Sequence, residues 1–159
     1  MMNAGKYYVG DLCYVLHDEW DEVCSLLFAG RNDHGCNQGE FNLKDGRRFS
    51  IYNTAYGDGR YYDQNGGQYD VDAGSIGCIL LSDIDLNNTD NFIAGGEIVE
   101  FDRDFCTSTD DDGNITIAAV DAGAAKKAQK MIEKTMKTNA ANNFFLAALS
   151  CSRITSNKK

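Results

Sequence analysis

Carboxylates and tyrosines crowd one stretch of this chain. Tyr56-Gly57-Asp58-Gly59-Arg60-Tyr61-Tyr62-Asp63 is followed closely by Asp70-Val71-Asp72-Ala73-Gly74. Adjacent antiparallel strands could bring Asp58, Asp63 and Asp72 together. Three chemistries use such a cluster: holding a hard cation, exchanging protons, or receiving a basic partner. Turn-making competes with all three, because Asp-Gly and Asn-Gly close hairpins and aspartate accepts local backbone hydrogen bonds. The expectation is that turn-making accounts for much of the acidity. Asp11, Tyr56, Asp58, Asp63 and Asp72 then remain as candidates for binding, with no catalytic residue assigned.

Other constellations fall short of a chemical signature. Asp83-Ile84-Asp85-Leu86-Asn87 starts like a calcium loop, but Asn88 stands at the glycine position and Ala94 at the glutamate position. Asp110-Asp111-Asp112-Gly113 reads as a turn. His34 and Cys36 lie close together without a matching second pair of ligands, so no metal site is expected. Cys13 and His17 offer a nucleophile pair by proximity alone. The chain lacks G-x-S-x-G, P-loop, H-E-x-x-H and G-x-G-x-x-G motifs. No cofactor is expected, and the reading leans away from an enzyme.

The elements that must position these residues follow from periodicity. Trp20, Val23, Cys24, Leu27 and Phe28 form one apolar helical stripe. Asp18 is the expected N-cap, and Gly30 is placed to end the helix, giving 18–29. Strands are expected at Lys6–Val9, Phe41–Lys44, Arg47–Thr54, Arg60–Asp63, Tyr69–Asp72, Ile76–Leu81, Gly96–Phe101 and Asn114–Val120. Leu12–Leu16 reads as a further extended piece, and Asp45-Gly46 as a two-residue hairpin turn. Ile76–Leu81 is nearly all apolar, so it should be a central strand covered on both faces. Proline is absent and there are 16 glycines, so Asp-Gly, Asn-Gly and Gly-Gly must make the turns. The fold class is α+β: an antiparallel sheet or half-barrel of about six strands, an N-terminal helix packed on it, and a C-terminal helical segment.

Charge divides the 159 residues in two. The whole chain carries −9, but residues 1–120 hold 7 basic against 22 acidic residues, a net of −15, and residues 121–159 hold 8 against 2, a net of +6. The expected organisation is an acidic, mainly β domain over 1–120 and a basic helical tail over 121–159. From Ala124 to Cys151 good helix formers dominate, and one continuous helix would be about 42 Å long. Phe144, Phe145, Leu146 and Leu149 are apolar nearly all round and demand burial, on the chain's own sheet, on a second copy or on a partner. Residues Met1–Lys6 lack the apolar run of a signal peptide, and no stretch approaches the roughly 20 apolar residues of a membrane span. Six scattered cysteines without CxxC suggest free thiols. The expected setting is intracellular, with no membrane and no secretion.

Tyr8-Val9-Gly10-Asp11-Leu12-Cys13-Tyr14-Val15 with Asp18-Glu19-Trp20-Asp21-Glu22, then Thr54-Ala55-Tyr56-Gly57-Asp58-Gly59 and Val71-Asp72-Ala73-Gly74-Ser75-Ile76-Gly77, form a pattern. It resembles small acidic proteins of bacteriophages, large DNA viruses and some bacteria. The resemblance covers roughly residues 7–101 and carries no activity. It implies a viral accessory protein or virion component, placed in the host cytoplasm or a virion, and transfers no catalytic residue.

Three functions are then in play. The leading expectation is a non-enzymatic module whose acidic body binds a basic protein partner, and which could block a nucleic-acid-binding protein. Direct nucleic-acid binding is disfavoured except through the basic tail. The second is a minor capsid or assembly protein that self-associates through Phe144–Leu149. The third is a metal-dependent hydrolase using Asp58, Asp63 and Asp72.

Overall fold

The computed structural model describes residues 1–31, 35–88 and 91–119. The chain divides into two units, Met1–Ala119 and Val120–Lys159, and every described residue lies in the first. The expected C-terminal helical segment, with Phe144, Phe145, Leu146 and Leu149, lies outside the described residues.

The fold is α+β and its sheets are antiparallel. Five strands, β1 (Gly5–Gly10), β2 (Gly39–Asn42), β3 (Arg48–Asn53), β6 (Ser75–Leu80) and β7 (Glu97–Phe101), form one sheet in the order β2-β3-β6-β1-β7. Two further hairpins stand apart from it: β4 (Gly59–Tyr62) with β5 (Gln68–Val71), and β8 (Phe105–Thr109) with β9 (Ile115–Ala119). Among the described residues one helix, α1 (Trp20–Leu27), completes the regular elements apart from short 3₁₀ turns. Among the described residues no helix is long and apolar enough to cross a membrane.

Side-chain alternation sorts the sheet into two cores. Tyr8 of β1, Phe49 and Ile51 of β3 and Ile79 of β6 are buried with Val23 and Leu27 of α1. Their neighbours Tyr7, Val9, Ile76 and Cys78 are buried on the opposite face, with Tyr69 and Val71 of one hairpin and Phe105 of the other. β6 is therefore the middle strand, covered on both faces as its apolar run implies. Gly77 is required at its centre: a Cβ there would collide with the Ser50 carbonyl and come 2.8 Å from Leu12.

Several local expectations need correction. Leu12–Tyr14 is a 3₁₀ turn rather than a strand, because the Asp11 carboxylate accepts from the Cys13 N–H and curls the chain. The helix is shorter than 18–29, and Glu19 occupies the N-cap without a side-chain cap. Asp18 instead accepts from the Asn88 amide at 2.8 Å. At the other end Asn37 closes the helix, its amide nitrogen donating to the Leu26 and Ala29 carbonyls. The Asp45-Gly46 turn is one residue wider than expected: Leu43 N–H donates to the Arg47 carbonyl across Lys44-Asp45-Gly46, with Gly46 at φ +94°. β8 was not expected at all.

Candidate functional site

Two regions gather the candidate residues, and both lie on the hairpin side of the sheet. The first is a junction built on Asp11, directly after β1. Asp11 is 0% exposed. One carboxylate oxygen accepts from Cys13 N–H at 3.0 Å; the other accepts from Asp72 N–H at 2.8 Å and Ala73 N–H at 2.6 Å. Buried charge is tolerated only when hydrogen-bonded, and here three backbone donors supply that. Asp11 thus ties the turn after β1 to the turn after β5.

Thr54 makes a matching tie. Its N–H donates to the Gly74 carbonyl at 2.9 Å, and its hydroxyl lies 2.7 Å from the Gly57 carbonyl and 3.1 Å from that of Gly74. Tyr61 hydroxyl also donates to Gly57. The segments 8–15, 54–59 and 71–77 therefore meet in space. Gly59 pairs with Val71 in the hairpin register, so Asp58 and Asp72 flank its open end. Both are exposed. Burial, a hydrogen bond to Asp11 and the charges of Asp11, Asp72 and Asp58 together hold the Cys13 thiol far above its ordinary range. Burial and the Asp72 carboxylate do the same to the Tyr14 hydroxyl. This keeps Cys13 protonated and a poor nucleophile.

Asp63 is not part of this junction. Tyr62 pairs with Gln68, so Asp63 sits at the closed end of the hairpin, about 17 Å along the strand from Asp58 at ~3.4 Å per residue. One of its oxygens accepts from Asn65 N–H at 2.7 Å and Gly67 N–H at 2.8 Å, and the other from Tyr69 hydroxyl at 3.2 Å. The backbone donors of Gly67 and Asn65 hold its carboxyl below the ordinary range. Asp110 has the same character: Asn114 and the Asp112 N–H donate to it, and Gly113 takes φ +78° in the turn. Among the described residues, no group of three or more His, Cys, Asp or Glu side chains is placed to hold a metal ion.

The second region is a cleft of about 900 Å³ between the two hairpins. Val9, Ile76 and Val99 of the sheet line it, along with Tyr61, Tyr62 and Asp63 from one hairpin and Asn114–Ile117 from the other. Tyr56, which is 90% exposed, contributes at one edge. Its charged lining among the described residues is Asp63, Glu97, Glu100 and Asp112, with no basic side chain. Sequence reasoning found Tyr56 and Asp63 but missed Glu97, whose place depends on how the hairpin folds over β7.

Most cations of this unit take part in ion pairs, one of them, Lys6, with the cleft-lining Glu100. Arg60 pairs with Asp70 at 2.9 Å, Arg103 with Asp102 at 3.1 Å and Lys6 with Glu100 at 3.7 Å. Arg47 pairs with Glu19 and Asp45, and Arg48 with Glu40. No family model, no curated protein and no solved structure matches the chain.

Proposed function

We propose that this chain is a non-enzymatic binding module that receives a basic protein partner on its acidic surface. The observation that carries this reading is the charge balance of residues 1–120, −15, with 22 acidic residues against seven basic ones. Carboxylates outnumber cations roughly three to one over these residues. They set up a negative field that steers basic partners and repels acidic ones. A partner whose groove ordinarily holds nucleic-acid phosphates has matching chemistry, so blocking such a protein as a viral or phage accessory factor fits the reading.

The test is capture of partners from cell lysate on the immobilised full chain at two salt concentrations. The screening length falls from about 10 Å at 0.1 M to about 3 Å at 1 M. Basic proteins retained at the lower salt and released at the higher are the expected result. Retention of mainly acidic or neutral proteins, insensitive to salt, overturns the reading.

The hydrolase alternative requires Asp58, Asp63 and Asp72 in one place, and the hairpin register separates Asp63 from the other two. Self-assembly through Phe144–Leu149 rests on sequence alone.

A further inference from the structure

The outer edge of β7 is open. β7 ends the sheet, and β1 pairs its inner side residue for residue from Glu97 to Phe101, without a bulge. Among the described residues no strand pairs with its outer side and no backbone group outside the sheet hydrogen-bonds it. A row of free N–H and C=O groups templates further pairing, so edges are ordinarily blunted by proline, lysine, a bulge or a covering segment. β7, Glu-Ile-Val-Glu-Phe, carries neither proline nor lysine. The cleft follows this edge. By alternation Glu97 and Val99 face the hairpins beside Val9 and Tyr7, whereas Ile98 and Glu100 face the other way beside Tyr8 and Lys6. All five residues of β7 nevertheless line the cleft, so Ile98 and Glu100 reach it at the strand's edge. Ile98 is 51% exposed there.

We infer that the free edge of β7 receives a basic, extended segment of a protein partner, which adds to the sheet as a further strand. This deepens the acidic-module reading and rests on it. Main-chain hydrogen bonds to the edge supply affinity, and side chains directly opposite those of β7 supply selectivity. Five residues at ~3.4 Å each accommodate about 17 Å of partner strand. Glu97 and Glu100 stand three apart, with Ile98 and Val99 between them. The matching strand therefore carries basic residues three apart, with two apolar residues between. Lys6 already meets Glu100 at 3.7 Å, but those side chains are 61% and 69% exposed, and such a pair contributes little. A second copy of this chain is disfavoured as the occupant: it brings two more glutamates to the edge and another unit of net −15.

The probe is the peptide Lys-Val-Val-Lys-Val-Val-Lys, acetylated and amidated at its ends, which sets lysines opposite Glu97 and Glu100 in either strand direction. Two versions carry backbone N-methyl groups, one at peptide positions 2, 4 and 6 and the other at positions 3 and 5. The N–H groups of alternate residues point to opposite sides of a strand, so only one version loses the donors that face β7. A fourth peptide has glutamine for each lysine. Each is titrated calorimetrically into the full chain at low salt, and amide exchange is followed by NMR with the parent peptide bound. The expected result is that one methylated version binds at least about tenfold more weakly than the parent and the other within about threefold. The β7 amides not bonded to β1 should exchange at least about tenfold more slowly, and those of Gly39–Asn42 on the opposite edge should change less than about twofold. Methylated versions that bind alike, or β7 amides that stay unprotected, overturn edge pairing while leaving diffuse acidic recognition intact. No binding of the parent overturns the edge as well, and lysate capture then decides the broader reading. A glutamine peptide as tight as the parent contradicts the choice of a basic partner.

Discussion

Asp11→Asn tests whether the junction is held as described. The carboxylate accepts three backbone hydrogen bonds at 2.6–3.0 Å in a fully buried position. Hydrogen bonds to charged groups contribute about 1.5–3 kcal/mol each. Asparagine keeps one acceptor oxygen, which can serve either Cys13 or the Asp72–Ala73 pair. Its amide then points two hydrogens at a backbone donor on the other side. Against this, removing a buried charge that has no cationic partner among the described residues recovers desolvation energy. The expected net loss is about 2–3 kcal/mol, and for Asp11→Ala, which abandons all three donors, about 3–5 kcal/mol. At roughly 4 °C per kcal/mol the asparagine variant should melt about 8–12 °C lower. Urea unfolding followed by the fluorescence of the single tryptophan, Trp20, measures this. Amide exchange at Asp72 and Ala73 should accelerate in the same variant. A loss under about 0.5 kcal/mol, with those amides still protected, would refute the account of the junction, because that is the range of surface changes.

Three more expectations come from other parts of the fold. Gly77→Ala should destabilise the protein by about 1–3 kcal/mol or more in the same urea assay, since its Cβ meets backbone at Ser50 as well as the Leu12 side chain; an unchanged midpoint would mean that β3 and β6 are less closely apposed. Cys106 is exposed, whereas Cys78 is buried with its thiol pushed up to about 11 by burial, so iodoacetamide near neutral pH should label Cys106 before Cys78 by mass spectrometry. Asp63 and Asp110 have carboxyls held below the ordinary range in the folded state, so the folded protein binds fewer protons there than the unfolded chain. Their contribution is present above the unfolded carboxylate range and is lost as pH falls through the folded values. Acid unfolding of Asp63→Asn should therefore depend less steeply on pH than that of the wild type; an identical slope would show that the turn donors do not act on that carboxylate.

Much of the sheet was legible because burial follows a period of two. Tyr7, Tyr8 and Val9 alternate between the two cores, and the unbroken apolar run at Ile76 and beyond marks the strand that both cores share. Phe105–Thr109 was not legible as a strand. Of its residues only Phe105 is buried, and Cys-Thr-Ser-Thr gives little apolar alternation to detect. Leu12–Tyr14 looked extended because the residue that curls it, Asp11, acts through a side chain rather than through periodicity. For the candidate site, local chemistry was readable and long-range chemistry was not. Asp63 and Asp110 close turns within four residues, as Asp-rich, Gly-rich segments are expected to do. Asp11 reaches backbone 61 and 62 residues away, and Glu97 approaches Asp63 only because a hairpin lies over β7. Those two placements decide which carboxylates serve as scaffold and which face the cleft.

The central claim is that the acidic unit recognises a basic protein by charge. The most direct measurement is the dissociation constant of the full chain with its strongest captured partner, followed from about 0.1 M to about 1 M salt as screening shortens. The account predicts that binding weakens at least tenfold, equivalent to about 1.4 kcal/mol. An affinity constant within twofold across the same range would contradict it.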